Sequence, residues 1–154
     1  MTMNVLFNSI FENELRILIL LDVYDMPQTL DMLYAVDFIT VYGRAFGISD
    51  TDLNGDNDYK FSEFASRRYS VQEALRELVL TGTVQAVNYK GSLSYVITPE
   101  GEDYCESLVS KYAKEYRANA RAAVESVKGK SERSIISMIN KQSARSLRRG
   151  VNNE

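Results

Sequence analysis

Hydrophobic residues recur at helical spacing along most of this chain and alternate with polar residues over only one short stretch. The first helical pattern runs from Ser9 to Tyr24, and Ser9 with Glu12 three residues later forms the capping box that often opens a helix. Met26-Pro27 follows, and the proline cannot continue a helix. The pattern therefore predicts a first helix over residues 9–24.

Two further helical patterns precede a turn at Gly82. Thr29 can cap a second helix over residues 30–42, and a third helix is predicted over residues 62–80, with apolar side chains on one face. Residues 43–60 separate these two helices and are polar, acidic and glycine-containing. They predict a loop.

A β-hairpin and a long helix follow the third helix. Short strands are predicted over residues 84–87 and 93–97, with Gly91 in their connection. A long helix is predicted from Pro99 to Val127, and Ser131 can cap a last, basic helix. The large side chains that recur at steps of four in the long helix, and so share one face, are Tyr104, Leu108, Tyr112 and Tyr116.

Three helices, a hairpin and a following helix occur in this order in a winged helix. The Tyr-x-x-Thr-x-x-Gly string of Tyr95, Thr98 and Gly101 is similar to the junction between wing and helix in many winged-helix proteins. We therefore predict a mainly α fold. Residues 1–127 form a winged-helix domain with a long C-terminal helix, and residues 128–154 form a basic tail, partly helical or disordered.

Composition limits the chemistry that this chain can perform. Its 154 residues suit one domain with a core, and it contains no histidine and a single cysteine, Cys105. Ser-His and Cys-His catalytic pairs and an internal disulfide are therefore excluded. Apolar runs such as residues 17–21 are far shorter than the roughly 20 residues of a membrane helix, and the first residues lack signal-peptide features. These observations favour a non-enzymatic cytoplasmic protein.

The opening of the chain resembles a known family. Residues 7–22 read Phe-Asn-Ser-x-Phe-Glu-x-x-Leu-Arg-x-Leu-x-Leu-Leu-Asp, which is similar to the start of the middle component (type 2) of bacterial ABC-three-component systems. The likeness continues through Asp37-Phe38 and covers roughly residues 6–104. In the third predicted helix and the turn after it, the matching positions are Glu63, Arg67, Arg68, Glu73, Leu75, Leu78 and Gly82.

The resemblance implies an accessory role. Such middle components are small winged-helix subunits that accompany an SMC-like or RecF-like ABC ATPase and an effector, as in Lamassu-type systems. By this resemblance the chain docks on the ATPase and holds or regulates the effector in anti-phage or anti-plasmid defence. The alternative is a winged-helix DNA-binding transcriptional regulator.

Asp37 is a candidate for a buried ion pair, because it lies inside an otherwise apolar stretch. Arg67 and Arg68 lie near the core-facing stripe of the third predicted helix. A lone buried charge is too costly, which favours an interior pair of Asp37 with Arg67 or Arg68. The alternative is that these side chains reach solvent at the domain edge. Neither arrangement would be catalytic.

Residues 52–63 fit the spacing of a twelve-residue EF-hand calcium loop. Asn57 replaces the usual glycine at position 6, the chain offers no second such loop, and glycines 43 and 47 interrupt the preceding helix. A solvated acidic loop is therefore the main expectation, calcium is the alternative, and no other cofactor is predicted. The candidate calcium ligands are Asp52, Asn54, Asp56, Asp58 and Glu63.

The net charge of −3 is unevenly distributed. Residues 1–127 contain 11 basic and 19 acidic residues, a net charge of −8, whereas residues 128–154 contain 7 and 2, a net charge of +5. An acidic body repels phosphate, so contact with DNA is expected from the tail or through the ATPase complex. A solvated terminus is the alternative for the tail, and no membrane contact is predicted. The candidates for phosphate or partner contact are Lys128, Lys130, Arg133, Lys141, Arg145, Arg148 and Arg149.

Overall fold

The computed structural model describes residues 10–50, 52–53, 61 and 63–152, the last seven as backbone only. These residues form six helices and one two-stranded antiparallel sheet. None of the helices in this part of the chain is long and apolar enough to cross a membrane. In chain order the elements are α1 Ile10–Tyr24, α2 Leu30–Val41, α3 Phe64–Leu80, β1 Val84–Tyr89, β2 Ser92–Ile97, α4 Pro99–Glu106, α5 Lys111–Ser126 and α6 Glu132–Asn152.

Helix α2 lies at the centre of the fold. Residues 33–41 are all buried, so most of this helix has no side that faces solvent. A helix that is apolar on every side must be enclosed by other elements, and α2 packs against α1, α3, α5 and α6. Helix α1 adds the buried run of residues 17–21 to the same core.

Hydroxyl side chains begin helices where the sequence predicts them. The backbone N–H of Met32 donates to Thr29 Oγ1 at 3.2 Å, and that of Ser134 donates to Ser131 Oγ at 3.1 Å. The predicted caps of α2 and α6 are thus confirmed. Ser9, the predicted cap of α1, lies outside the described residues.

The prediction of one long helix over residues 99–127 is wrong. Helix α4 ends at Glu106, and α5 begins after Ser110, whose Oγ accepts from the backbone N–H of Ala113 at 3.1 Å. The connection contains Ser107 and Ser110, and serine favours helix ends over helix interiors. Because the helix is interrupted, the spacing of four no longer aligns Tyr104 with Tyr112 and Tyr116. Tyr104 is 44% exposed, whereas Tyr116 is fully buried.

The hairpin is longer and its turn tighter than predicted. Strands β1 and β2 pair from Val84 opposite Ile97 to Tyr89 opposite Ser92. The two residues between them, Lys90 and Gly91, have φ angles of 52° and 82°. Positive φ at both turn positions is typical of the type I′ turn, whose twist matches that of the paired strands.

Each residue of the Tyr95-Thr98-Gly101 string has a structural role. The backbone of Tyr95 pairs with Gln28 through hydrogen bonds of 2.8 and 3.0 Å, which joins β2 to the connection between α1 and α2. Thr98 Oγ1 donates to the carbonyl of Gly82 at 2.7 Å. A Cβ at Gly101 would lie 2.2 Å from the carbonyl oxygen of Thr83, so only glycine allows this approach.

Over its described side chains, residues 132–145, helix α6 is not simply a tail appended to the core. Ile135 and Ile139 are fully buried, and α6 packs against α2. The hydroxyl of Thr29 donates to the carboxylate of Glu132, and Gln142 Nε2 donates to the carbonyl of Ala45 at 3.4 Å. The boundary predicted at residue 127 therefore does not separate α6 from the core.

We expect Ile139→Ala to lower the free energy of unfolding by about 2–5 kcal/mol, because it leaves a cavity between α6 and α2. Asn140→Ala, at the next and exposed position, is the control and should change it by less than about 0.5 kcal/mol. Urea denaturation followed by circular dichroism measures both values. Equal stability of the two variants would contradict the packing of α6 on the core.

Candidate functional site: a buried charge network at Asp37

Asp37 is the centre of a buried network of charged and hydroxyl groups. Its side chain is fully buried in α2. Oδ1 accepts from Arg16 Nε at 3.2 Å and from the Tyr116 hydroxyl at 2.7 Å, and Oδ2 accepts from Arg67 Nη2 at 2.7 Å. One carboxylate therefore connects α2 to α1, α3 and α5.

Arg16 is itself almost completely buried, with 1% of its surface exposed. Its Nη1 lies 3.1 Å from Glu12 Oε1, one helical turn earlier on α1, and its Nη2 donates to Asn13 Oδ1. Tyr112, on α5, also forms a side-chain hydrogen bond with this guanidinium. Two guanidinium groups and two carboxylates thus balance one another inside the protein.

The network keeps Asp37 ionised. Burial alone would raise its pKa, but the charges of Arg16 and Arg67 outweigh burial, so the pKa of Asp37 lies below its ordinary value. Burial and the neighbouring Asp37 charge raise the pKa of Tyr116 well above its usual value. Burial also raises the pKa of Tyr112, to about 12. Both phenols are therefore protonated near neutral pH and can donate hydrogen bonds.

This chemistry suits a structural role. A carboxylate with a lowered pKa and three donors is poorly suited to general acid or base catalysis near neutral pH. A cleft of about 220 Å³ adjoins the network, lined in part by Asn13, Ser66 and Ser70. The buried Nε of Arg67 has no hydrogen-bond partner among the described residues. It can donate to a water molecule in this cleft.

The structure distinguishes between the two arginines considered as partners of Asp37. Arg67 joins the network, whereas Arg68 Nε lies 2.8 Å from Asp31 Oδ1 in an exposed pair. Adjacent helical residues are about 100° apart around the axis, so only one of them can point to the core. The pairing of Asp37 with Arg68 is therefore corrected to a surface pair between Arg68 and Asp31.

Sequence reasoning missed Arg16 and Tyr116. A signal for Arg16 was available, because it is the one cation in α1 and adjoins the apolar run of residues 17–21. The predicted long helix aligns Tyr116 with Tyr104, whereas in the structure they lie on different helices and only Tyr116 is buried. No local pattern links either residue to Asp37 across 21 and 79 positions.

Only part of the candidate calcium loop can be described. Asp52 Oδ1 accepts from the backbone N–H of Arg44 at 3.0 Å, and Glu63 Oε2 accepts from the Tyr42 hydroxyl at 3.1 Å. Within the described ranges no three acidic, cysteine or histidine side chains are grouped to hold a metal. Asn54, Asp56 and Asp58 lie outside these ranges, so the solvated loop stays the prediction and calcium binding stays its alternative.

The basic side chains that the structure describes after Val127 are on the surface. Lys128 and Lys130 lie in the turn before α6, and Arg133, Lys141 and Arg145 are exposed on α6. Lys141 and Arg145 are one turn apart, about 160° and 120° around the helix axis from the buried Ile139. Arg148 and Arg149 also belong to α6, but their side chains lie outside the described part.

Comparison with models of known protein families gives a match over most of the chain. The family model of ABC-three component (ABC-3C) system Middle Component 2 matches residues 6–149. The chain belongs to this family. The Middle Component 2 match extends beyond the predicted residues 6–104 and includes most of α6. No curated protein and no solved structure matches the chain.

We expect Asp37→Asn to lower the free energy of unfolding at pH 7 by about 3–5 kcal/mol, because Arg16 and Arg67 lose their shared anion. The lowered pKa of Asp37 stabilises the fold above the unfolded-state pKa of about 3.9. This contribution is lost as pH falls towards the lower pKa of the folded state. The difference in free energy of unfolding between wild type and Asp37→Asn should therefore decrease below about pH 4.

Asp31→Asn is the matched control, because Asp31 forms an exposed pair with Arg68. Asp31→Asn should lower the free energy of unfolding by no more than about 1 kcal/mol. Urea denaturation at pH 7, 5 and 3.5 measures all three proteins. Glu12, whose pKa is raised by burial, is present in all three proteins, so its titration contributes equally to the pH dependence of their stability. A cost below 1 kcal/mol for Asp37→Asn would contradict the structural role of the network.

Proposed function

We propose that this chain is a non-catalytic accessory subunit that docks on an SMC-like ABC ATPase and holds or regulates an effector. The system would act in anti-phage or anti-plasmid defence of the Lamassu type. The observation that carries the proposal is membership of the Middle Component 2 family over residues 6–149. The charge network supports it, because its best-suited role is to hold four helices together.

The arrangement of elements supports interpreting the fold as a winged helix. Helices α1 to α3 precede the hairpin, and the backbone pairing of Gln28 with Tyr95 joins the hairpin to the α1–α2 connection. Gly101 allows α4 to begin directly beside the hairpin. We propose a winged-helix body to which α5 and α6 are added.

The surface of α3 favours the accessory subunit over a DNA-binding regulator. A winged-helix regulator inserts the helix that corresponds to α3 into the major groove and needs cations there. Arg67 and Arg68 are paired with Asp37 and Asp31, which leaves Arg76 as the other arginine of α3. Glu73 and Glu77 flank it in the sequence. This face is poorly suited to phosphate.

Contact with DNA is proposed for α6, within the assembled complex. Lys141 and Arg145 are exposed, and neither forms an ion pair with another described residue. They lie outside the part of the α6 surface that buries Ile135 and Ile139. Helix α6 would thus pack against the core through its apolar side and contact the phosphate groups of DNA through its basic side.

We expect the chain, co-expressed with the products of its neighbouring genes, to co-elute with the ABC component at fixed stoichiometry. Size-exclusion chromatography with multi-angle light scattering measures this ratio. The control is the chain expressed alone and mixed with an unrelated ABC ATPase. Elution as a free monomer beside an assembled ATPase–effector complex would refute the proposal.

We expect the double variant Lys141→Glu/Arg145→Glu to weaken binding of the complex to double-stranded DNA and to reduce its salt dependence. Each lost phosphate contact should lower the slope of log K against log salt by about 1. The control, Lys114→Glu/Arg121→Glu, makes the same charge change at exposed positions of α5. Fluorescence anisotropy across a salt series measures both. Identical curves for the two double variants would exclude α6 as the DNA contact.

A further inference from the structure

An apolar groove lies between α1, the end of α3 and α4. Its volume is about 350 Å³. The buried side chains of Leu18 and Leu78 form its base, together with the half-buried Leu15, and Phe11 and Tyr104 stand at its edges. The groove is separate from the Asp37 cleft, which opens between α1 and the other half of α3.

Two aromatic residues at the groove are exposed. Phe11 is 61% exposed and Tyr104 is 44% exposed, although both adjoin buried leucines. An apolar surface left continuous with the core in this way is typical of an interaction site. Phenylalanine and tyrosine are also enriched in the cores of protein interfaces, and tyrosine is among the residues whose truncation most often weakens binding.

The elements around the groove carry negative charge. Glu14 lines the groove, and burial, followed by the nearby charge of Glu77, raises the pKa of Glu14. Neither glutamate forms an ion pair with another described residue. Helix α4, which supplies Tyr104, has no basic residue and carries Glu100, Glu102, Asp103 and Glu106.

We infer that this groove binds an amphipathic helix of the ABC component, one that presents apolar side chains flanked by lysine or arginine. Side chains at positions i and i+3 or i+4 of that helix would enter between Phe11 and Tyr104, over Leu15 and Leu18. A cation on its flank would lie between Glu14 and Glu77 and replace their repulsion with attraction. This inference rests on the proposed function and identifies the docking surface.

The affinity of variants for the purified ABC component tests the surface. Phe11→Ser removes an aromatic edge of the groove, and Glu14→Lys/Glu77→Lys reverses the charge of its rim. Each should weaken binding at least tenfold, and the charge variant should lose most of its effect in high salt. The controls are Tyr69→Ser, an aromatic that is 67% exposed away from the groove, and Glu125→Lys, an exposed acid on α5. Both should bind as wild type does.

Photo-cross-linking identifies the occupant directly. Benzoylphenylalanine at position 104 in the co-expressed complex should cross-link to a segment of the ABC component that mass spectrometry shows to be basic and amphipathic. A cross-link to residues 1–9 of this chain, to a second copy or to the effector would overturn the inference. An acidic segment of the ABC component, or wild-type affinity of all groove variants, would do the same.

These outcomes distinguish the inference from the proposed function. If wild type binds the ABC component and the groove variants bind equally well, the docking surface is wrong and the accessory role stands. If wild type does not bind the ABC component, both are wrong. Thermal melting of each variant shows whether a loss of binding reflects unfolding.

Discussion

The fold depends on one buried anion. Asp37 has no contact with bulk solvent, and its carboxylate can stay charged only because Arg16, Arg67 and Tyr116 all donate to it. Each donor comes from a different helix, so the requirement to satisfy one carboxylate fixes α1, α3 and α5 around α2. Well-packed apolar side chains could supply similar stability. A polar centre with directional partners additionally penalises other arrangements of these helices, because any of them would leave a charge unpaired.

Most of the helices and the hairpin were predictable because their signals are local. Each of these signals affects the structure only of residues close to it in the sequence. They are apolar periodicity, the capping residues Thr29 and Ser131, and the glycine in the hairpin turn. The break between α4 and α5 was not, since the spacing of four continues from Tyr104 to Tyr116 across it. There, the preference of Ser107 and Ser110 for helix ends prevailed over apolar periodicity.

The site was predictable only in part, for a related reason. A buried Asp37 and a partner on α3 follow from apolar patterning and the cost of an unpaired charge. The other partners depend on how distant helices are rotated, which periodicity leaves open. The excess of positive charge in residues 128–154 likewise predicts only part of the role of α6. The positive net charge reflects the exposed side chains of α6, whereas the buried side chains of Ile135 and Ile139 show that the helix packs against the core.

The sequence separation of the Asp37 contacts also orders the assembly of the protein during synthesis. Arg16 is 21 residues before Asp37, Arg67 is 30 residues after it, and Tyr116 is 79 residues after it. A nascent chain that ends before α5 can pair the carboxylate with both arginines but leaves one side of α2 uncovered. Contacts of such long range form slowly, because the intervening chain must be closed into a loop first. The packing around Asp37 can therefore be completed only after α5 has been synthesised.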